Sequence, residues 1–183
     1  MKIKDAEIIA LMADPKTQEK GLRVMMDAYQ SRLYWHIRRL IPDHDNAQDV
    51  LQETFIKTYQ NFEKFKNDSQ LYTWLYRIAT NEALQNLNKA KRMQKTDEDA
   101  DYHLQNMKAD NEEKTSEEIQ VLLQKAIDAL PEKQKIVFSL RYYDDLPYEE
   151  IAKILNTSLG NCKTNYHYAK EKIETFIKQN YEQ

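Results

Sequence analysis

From 162 to 173 the chain reads CKTNYHYAKEKI, preceded by Asn161. At about 100° per residue, Asn161, Thr164, His167 and Tyr168 fall on one side of a helix, flanked by Lys163 and Lys170. That side offers hydrogen-bonding groups, an aromatic ring and cations that reach phosphates. It suits a helix inserted in a nucleic-acid groove, and it equally suits a plain solvated face. Cys162, Tyr166, Ala169 and Ile173 share the opposite side and should face a core.

The preceding stretch, LPYEEIAKILNTSLG, supplies the context. Pro147 suits a first helical turn, Glu149 and Glu150 suit its positive end, and Ile151, Ala152 and Leu155 give a buried edge. Asn156 and Thr157 break the pattern, and Ser158 can cap the next helix. The result is helix, short turn, helix, with the small Ala152 where the two must cross. A DNA-binding helix-turn-helix has this form and places its second helix in the major groove. Helix pairs that never touch DNA pack in the same way.

A second set of chemically capable residues lies in LYTWLYRIATNEALQNLNKAKR. Leu75, Ala79, Ala83, Leu87 and Ala90 form a core line, and the reverse side presents Trp74, Arg77, Asn81, Gln85, Asn88 and Arg92. Cations hold phosphates, amides read base edges, and a large aromatic can stack on an unpaired base. Trp74 fits a core position as well, since most Trp side chains are largely buried. Upstream, Ala47, Leu51, Phe55, Thr58 and Phe62 make a buried stripe, opposite Asp49, Gln52, Glu53 and Gln60 with Ile56 in their midst. An apolar side chain among acids and amides marks either a protein-binding surface or a solvated face with one stray Ile.

The elements that must position these residues are helices. Two Gly, four Pro, 31% charged residues and no strand-like alternation predict an all-α protein. Helices are expected over 15–41, from a cap at Asp43 or Asp45 through the Phe55 segment, and over 71–92, with KFKNDSQ separating the last two. The net charge of −3 is unevenly placed. Residues 1–92 hold 15 Lys/Arg against 12 Asp/Glu, 93–118 hold 3 against 9, and 119–183 hold 9 against 9. The acidic, apolar-poor middle predicts a flexible linker between two small helical domains, an N-terminal helical bundle at 1–92 and a C-terminal helix-turn-helix domain at 119–183. Fully extended, that linker reaches at most roughly 90 Å.

Other classes find little support. No apolar stretch approaches a membrane span, and the charges in MKIKDAEIIALMAD argue against a signal peptide, so a cytoplasmic protein without membrane insertion is expected. The single Cys162 reads as core. His36, His44, His103 and His167 are scattered, with no metal-ligand spacing and no Gly-rich phosphate loop, so no cofactor, no metal and no enzyme are expected.

Four motifs in order, DNAQDVLQETFIKTYQNFEKF, TWLYRIATNEALQNLNKAKR, LPEKQKIVFSLRYYDDLPYEEIAKIL and GNCKTNYHYAKEKI, with the acidic linker between the second and third, span nearly the whole chain. In this it resembles the extracytoplasmic-function (group 4) sigma factors of the sigma-70 family, bacterial transcription initiation factors. The resemblance implies that 1–92 is sigma region 2 and 119–183 sigma region 4. It implies docking on the β′ clamp helices of core RNA polymerase through Asp49, Gln52, Glu53 and Ile56, with further contact to the β flap. It implies minus-ten recognition and melting by Trp74, Arg77, Asn81, Gln85, Asn88 and Arg92, with Lys66, Asn67, Asp68, Ser69 and Gln70 forming a loop that holds a flipped base. The minus-thirty-five element would be read by Asn161, Lys163, Thr164, His167, Tyr168 and Lys170. An anti-sigma factor is an expected further partner. The chain departs from the pattern at Gln85 and Asn88, where many relatives carry Asp and Arg, and at Asn165 and Tyr168, where many carry Arg. The alternative is an autonomous helix-turn-helix regulator, which should show a dimerisation helix or a ligand pocket; neither is visible in the sequence.

Overall fold

Gly21 is where two helices meet too closely for a side chain. A Cβ there would lie 2.8 Å from the Met12 backbone N and 2.9 Å from the Leu11 carbonyl carbon. In the computed structural model, which describes residues 5–66, 69–94 and 116–181, this contact joins α1 (Asp5–Ala13) to α2 (Gln18–Leu40). Helix α1 was not expected as an element. It is only two to three turns long, and it is held by the burial of Ile8 and Met12, one turn apart, and by Tyr29 Oη donating to Asp5 at 2.6 Å.

Helix α2 buries Met25, Tyr29, Leu33 and Ile37 as its spacing predicts, with Leu22 and Met26 at the core margin. It stops before Pro42, which disfavours helical backbone in Ile41 (φ −114°, ψ 101°). Asp43 then caps α3 (His44–Asn61), its carboxylate accepting from Asn46 N at 2.8 Å. The stripe Ala47, Leu51, Phe55, Thr58 and Phe62 is buried as expected. Thr54 and Thr58 satisfy their buried hydroxyls by donating to the carbonyls of Val50 and Thr54, both at 2.7 Å. A 3-10 turn (Phe62–Lys64) follows, and α4 (Leu71–Gln94) packs on both α2 and α3. Leu75, Ala79 and Ala83 are buried; Leu87 is only partly buried and Ala90 is exposed, because α4 runs beyond its partners. Lys57 Nζ meets the nearly buried carboxylate of Glu82 at 2.7 Å and ties α3 to α4.

The second half comprises α5 (Ser116–Asp128), α6 (Glu132–Tyr142), α7 (Tyr148–Leu155) and α8 (Leu159–Tyr181). No strand occurs among the described residues. Both ends of the stretch read as linker are helical, since α4 continues to Gln94 and α5 begins at Ser116; the residues between lie outside those described. Ala126, Ile127, Leu130, Phe138, Ala169 and Ile173 form a core under α5, α6 and α8. The core of the first half does not stop at that half. Ile136, Val137, Leu140, Leu146, Ile151, Ile154 and Cys162 belong to the same continuous apolar cluster as Leu33, Leu75 and Ala79. Each fully buried Ile or Leu stabilises by roughly 1.5–3 kcal/mol, so the two halves share substantial burial. Contact runs through α4 on α7 and α2 on α6, and Lys91 meets Glu132 at 2.7 Å.

Candidate polymerase and nucleic-acid interfaces

The first surface is the outer side of α3. Burying Ala47, Leu51 and Phe55 turns Asp49, Gln52, Glu53 and Gln60 outward, all exposed. Ile56 lies among them with 48% of its surface in water. Among the described residues Glu53 has one cationic neighbour on the helix, Lys57 at 3.8 Å, which is itself drawn to Glu82. The face is therefore acidic and polar around one apolar side chain.

The second surface lies where α3, the 3-10 turn and α4 converge. Trp74, Asn81 and Gln85 line an open cleft with Lys57, Asn61 and Lys64. Trp74 is half-buried; its ring packs edge-on to Phe62 at 5.8 Å and tilted on Phe65 at 5.3 Å. One side of the indole thus packs on the core and the other lines the cleft. Lys57, Asn61 and Lys64 were not singled out from the sequence. Their spacing of four and three residues puts them on one stripe, a signal masked by the stronger apolar stripe beside it. Lys64 Nζ donates to Asn61 Oδ1 at 2.7 Å, and Asn61 Nδ2 to the Lys57 carbonyl at 2.9 Å, which orders this wall.

The remaining residues of the expected α4 surface divide. Arg77 turns from the cleft toward α7, where Nε and Nη2 donate to the Lys153 carbonyl at 3.1 and 2.7 Å. Asn88 and Arg92 are exposed further along the helix. Lys66 and Gln70 are exposed at the start of α4, while Ser69 and Gln70 border a different depression with Asp5 and Glu150. Asn67 and Asp68 lie outside the described residues.

The third surface is the helix-turn-helix. Pro147 occupies the N-cap of α7, and Asn156 ends it in left-handed backbone (φ 49°), which Asn tolerates better than most residues. Thr157 N closes the turn on the Ala152 carbonyl at 3.0 Å. Ser158 Oγ accepts from Asn161 N at 3.1 Å, the cap its type implied. Cys162, Ala169 and Ile173 are buried, and Tyr166 stacks on Phe138 with centroids 5.7 Å apart. Asn161, Lys163, Thr164, His167, Tyr168 and Lys170 are all exposed on the far side, Tyr168 by 49%. Asn165, a departure from the pattern, is half-buried and donates to the Asn161 carbonyl at 2.8 Å. A single helix thus presents a continuous polar, cationic and aromatic face.

No described helix is long and apolar enough to cross a membrane. Residues 25–93 match the sigma-70 region 2 family and residues 120–173 match sigma-70 region 4. The chain is 32% identical over 168 residues to the ECF RNA polymerase sigma-E factor of Haemophilus influenzae, covering 87% of this chain and 88% of that one. It is 33% identical over 172 residues to the sigma-E factor of Escherichia coli K12, covering 88% and 89%. Its fold resembles the sigma factor RpoE of Bartonella quintana, solved in complex with the anti-sigma factor NepR (TM-score 0.71, 21% identity, 87% of this chain and 98% of that one). It also resembles CnrH, solved with the cytosolic domain of CnrY (TM-score 0.71, 17% identity, 96% and 97%). The chain belongs to the extracytoplasmic-function sigma factors of the sigma-70 family, non-enzymatic transcription initiation factors that bind core RNA polymerase and direct it to promoters.

Proposed function

We propose a division of labour among the three surfaces. Asp49, Gln52, Glu53 and Ile56 on α3 dock on the β′ clamp helices of core polymerase. The cleft on α4, with Trp74, Asn81 and Gln85, takes the minus-ten element as it melts, and Arg77, Asn88, Arg92 and the Lys66–Gln70 loop complete its hold. Asn161, Lys163, Thr164, His167, Tyr168 and Lys170 on α8 enter the minus-thirty-five major groove, while the second half also contacts the β flap. Functionally, 1–92 and 119–183 act as separate modules, with 93–118 between them, in the cytoplasm. An anti-sigma factor that covers these surfaces is the fitting regulator, since one solved neighbour is held by such a protein.

The observation that carries the docking assignment is Ile56, kept half in water by a face of acids and amides that leaves the core stripe intact. Reversing Asp49 and Glu53 to Lys should abolish co-purification with core polymerase without loss of helix content, because neither side chain is buried. Normal binding by the folded double variant refutes the assignment.

A further inference from the structure

Nothing inside the fold requires a glycine at 160. Gly160 is the second residue of α8, its φ is not positive, and a Cβ built on it would meet only Ser158 Oγ, 3.9 Å away. Ala would fit there and would favour the helix. Gly21, the other glycine of the chain, answers to a close approach of backbone within the fold. A bare residue with open space beside it suits the close approach of a partner from outside. Gly160 lies one turn before Thr164 and two before His167, on the midline of the exposed face of α8.

Its two neighbours fan out to either side, at about 100° per residue. Leu159 opens the helix, keeps 37% of its surface exposed and joins neither apolar core, although Cys162 is buried three residues on. Asn161, on the other side, is fixed in place. Its backbone N donates to Ser158 Oγ at 3.1 Å and its Nδ2 to Thr157 Oγ1 at 3.0 Å. The second Nδ2 hydrogen and Oδ1 of that exposed amide stay available to a base. We propose that this first turn of α8 reads a thymine by its methyl group. Gly160 lets the backbone approach the base edges, and Leu159 packs on the thymine C5-methyl.

The proposal rests on the assignment of α8 to the minus-thirty-five major groove and adds two residues to that reading. The N-terminal residues of a recognition helix are the ones that reach base edges. Of the four bases only thymine shows a methyl group in the major groove, and apolar side chains are what contact it. Cytosine lacks the methyl and turns an amino group toward the groove, which Leu159 cannot satisfy. The fixed Asn161 amide suits an adenine beside that thymine, accepting from N6 and donating to N7.

The complex of this chain with core polymerase tests the contact, on the minus-thirty-five element that it selects from random promoters. Each thymine of the element, on either strand, is replaced in turn by deoxyuridine, which exchanges the methyl for hydrogen and alters no hydrogen bond. At one position the parent should lose about fourfold in promoter affinity, the factor that one buried methyl group implies. Leu159→Ala should bind both versions of that promoter equally. Gly160→Ala should melt no earlier than the parent yet lose about fivefold or more in affinity, as overpacking of a tight contact implies. An element with no methyl-sensitive thymine, or a sensitivity that survives Leu159→Ala, overturns the proposal. So does a Gly160→Ala chain that melts earlier or binds as the parent does. Thr164→Ala and His167→Ala separate this contact from the assignment beneath it. If both variants select the parent's element, α8 is not the reader and both readings fall. If they select altered elements and no thymine is methyl-sensitive, the thymine contact alone falls.

Discussion

Replacing Trp74 by Ala removes a residue that serves the core and the cleft at once. Its indole contacts Phe62 and Phe65, with centroids 5.8 and 5.3 Å away. Each such ring pair contributes about 0.5–1.5 kcal/mol beyond area burial, so the pairs together supply about 1–3 kcal/mol. The apolar area lost with the half-buried indole brings the cost to about 2–4 kcal/mol, against about 3–5 for a fully buried ring. At about 2–4 °C per kcal/mol for a chain of this size, the melting temperature should fall by about 4–16 °C. Promoter opening by Trp74→Ala is therefore interpretable only well below that lowered midpoint. Trp74→Phe separates the roles: it keeps a ring against Phe62 and Phe65 and should cost under about 1.5 kcal/mol. It loses much of the surface available to an unpaired base, whose stacking on an aromatic is worth about 1–3 kcal/mol. Circular dichroism melts beside permanganate footprinting give both readings. A Trp74→Ala protein that melts within about 1 °C of the parent refutes the packing argument. Unchanged strand opening by a stable Trp74→Phe refutes the stacking role.

Gly21→Ala gains about 1 kcal/mol of helix propensity but drives a Cβ to 2.8 Å from backbone that cannot yield, so overpacking of about 1–3 kcal/mol should outweigh it; a urea melt showing increased stability contradicts the close approach. Asn81→Ala should relax base preference at a single minus-ten position by about 1–3 kcal/mol in a randomised-promoter selection, and unchanged preference there removes it from the reading set. Acidification should loosen the fold in a defined window. Burial lowers the His36 pKa against the opposing pull of Asp144, so the unfolded chain binds the extra proton first and stability is lost as pH falls below about 6.5. Burial alone would raise Asp144, but His36 and Arg39 outweigh it and hold the carboxyl below 3.8, which adds a second loss in stronger acid. Arg39, Tyr76 and Asp144 are the titratable or charged neighbours of His36, and burial pushes the Tyr76 hydroxyl well above the range in which His36 titrates. Urea melts over that range should show the slope, and His36→Gln should abolish its upper part.

Much of this was legible because periodicity and punctuation agreed. Asp43 capped α3 and Ser158 capped α8; the stripes from Ala47 to Phe62 and from Cys162 to Ile173 went inside. The outward residues followed from those stripes. Helix α1 stayed hidden because so short an element depends on tertiary burial of two side chains, which propensity does not register. The cleft wall of Lys57, Asn61 and Lys64 stayed hidden because it takes shape only where a second helix arrives. Least legible was the contact between the halves. Thr73 and Tyr76 read as unremarkable positions of α4, and Asp144 as an ordinary loop acid, until partners more than sixty residues away in sequence face them. The charge division, by contrast, speaks to function without any coordinates: stretches of +3 and 0 on either side of a −6 stretch should grip DNA poorly alone.

That last point leads to the most direct test of a chain that acts through polymerase. A pool of random DNA fragments is incubated with the chain alone, with core polymerase alone and with both, at several salt concentrations, and bound fragments and transcript starts are sequenced. The combined sample should yield starts downstream of one shared two-element sequence, with little specific enrichment by the chain alone near physiological salt. Specific nanomolar binding by the chain alone, or a combined sample whose starts match those of core enzyme, would contradict the account.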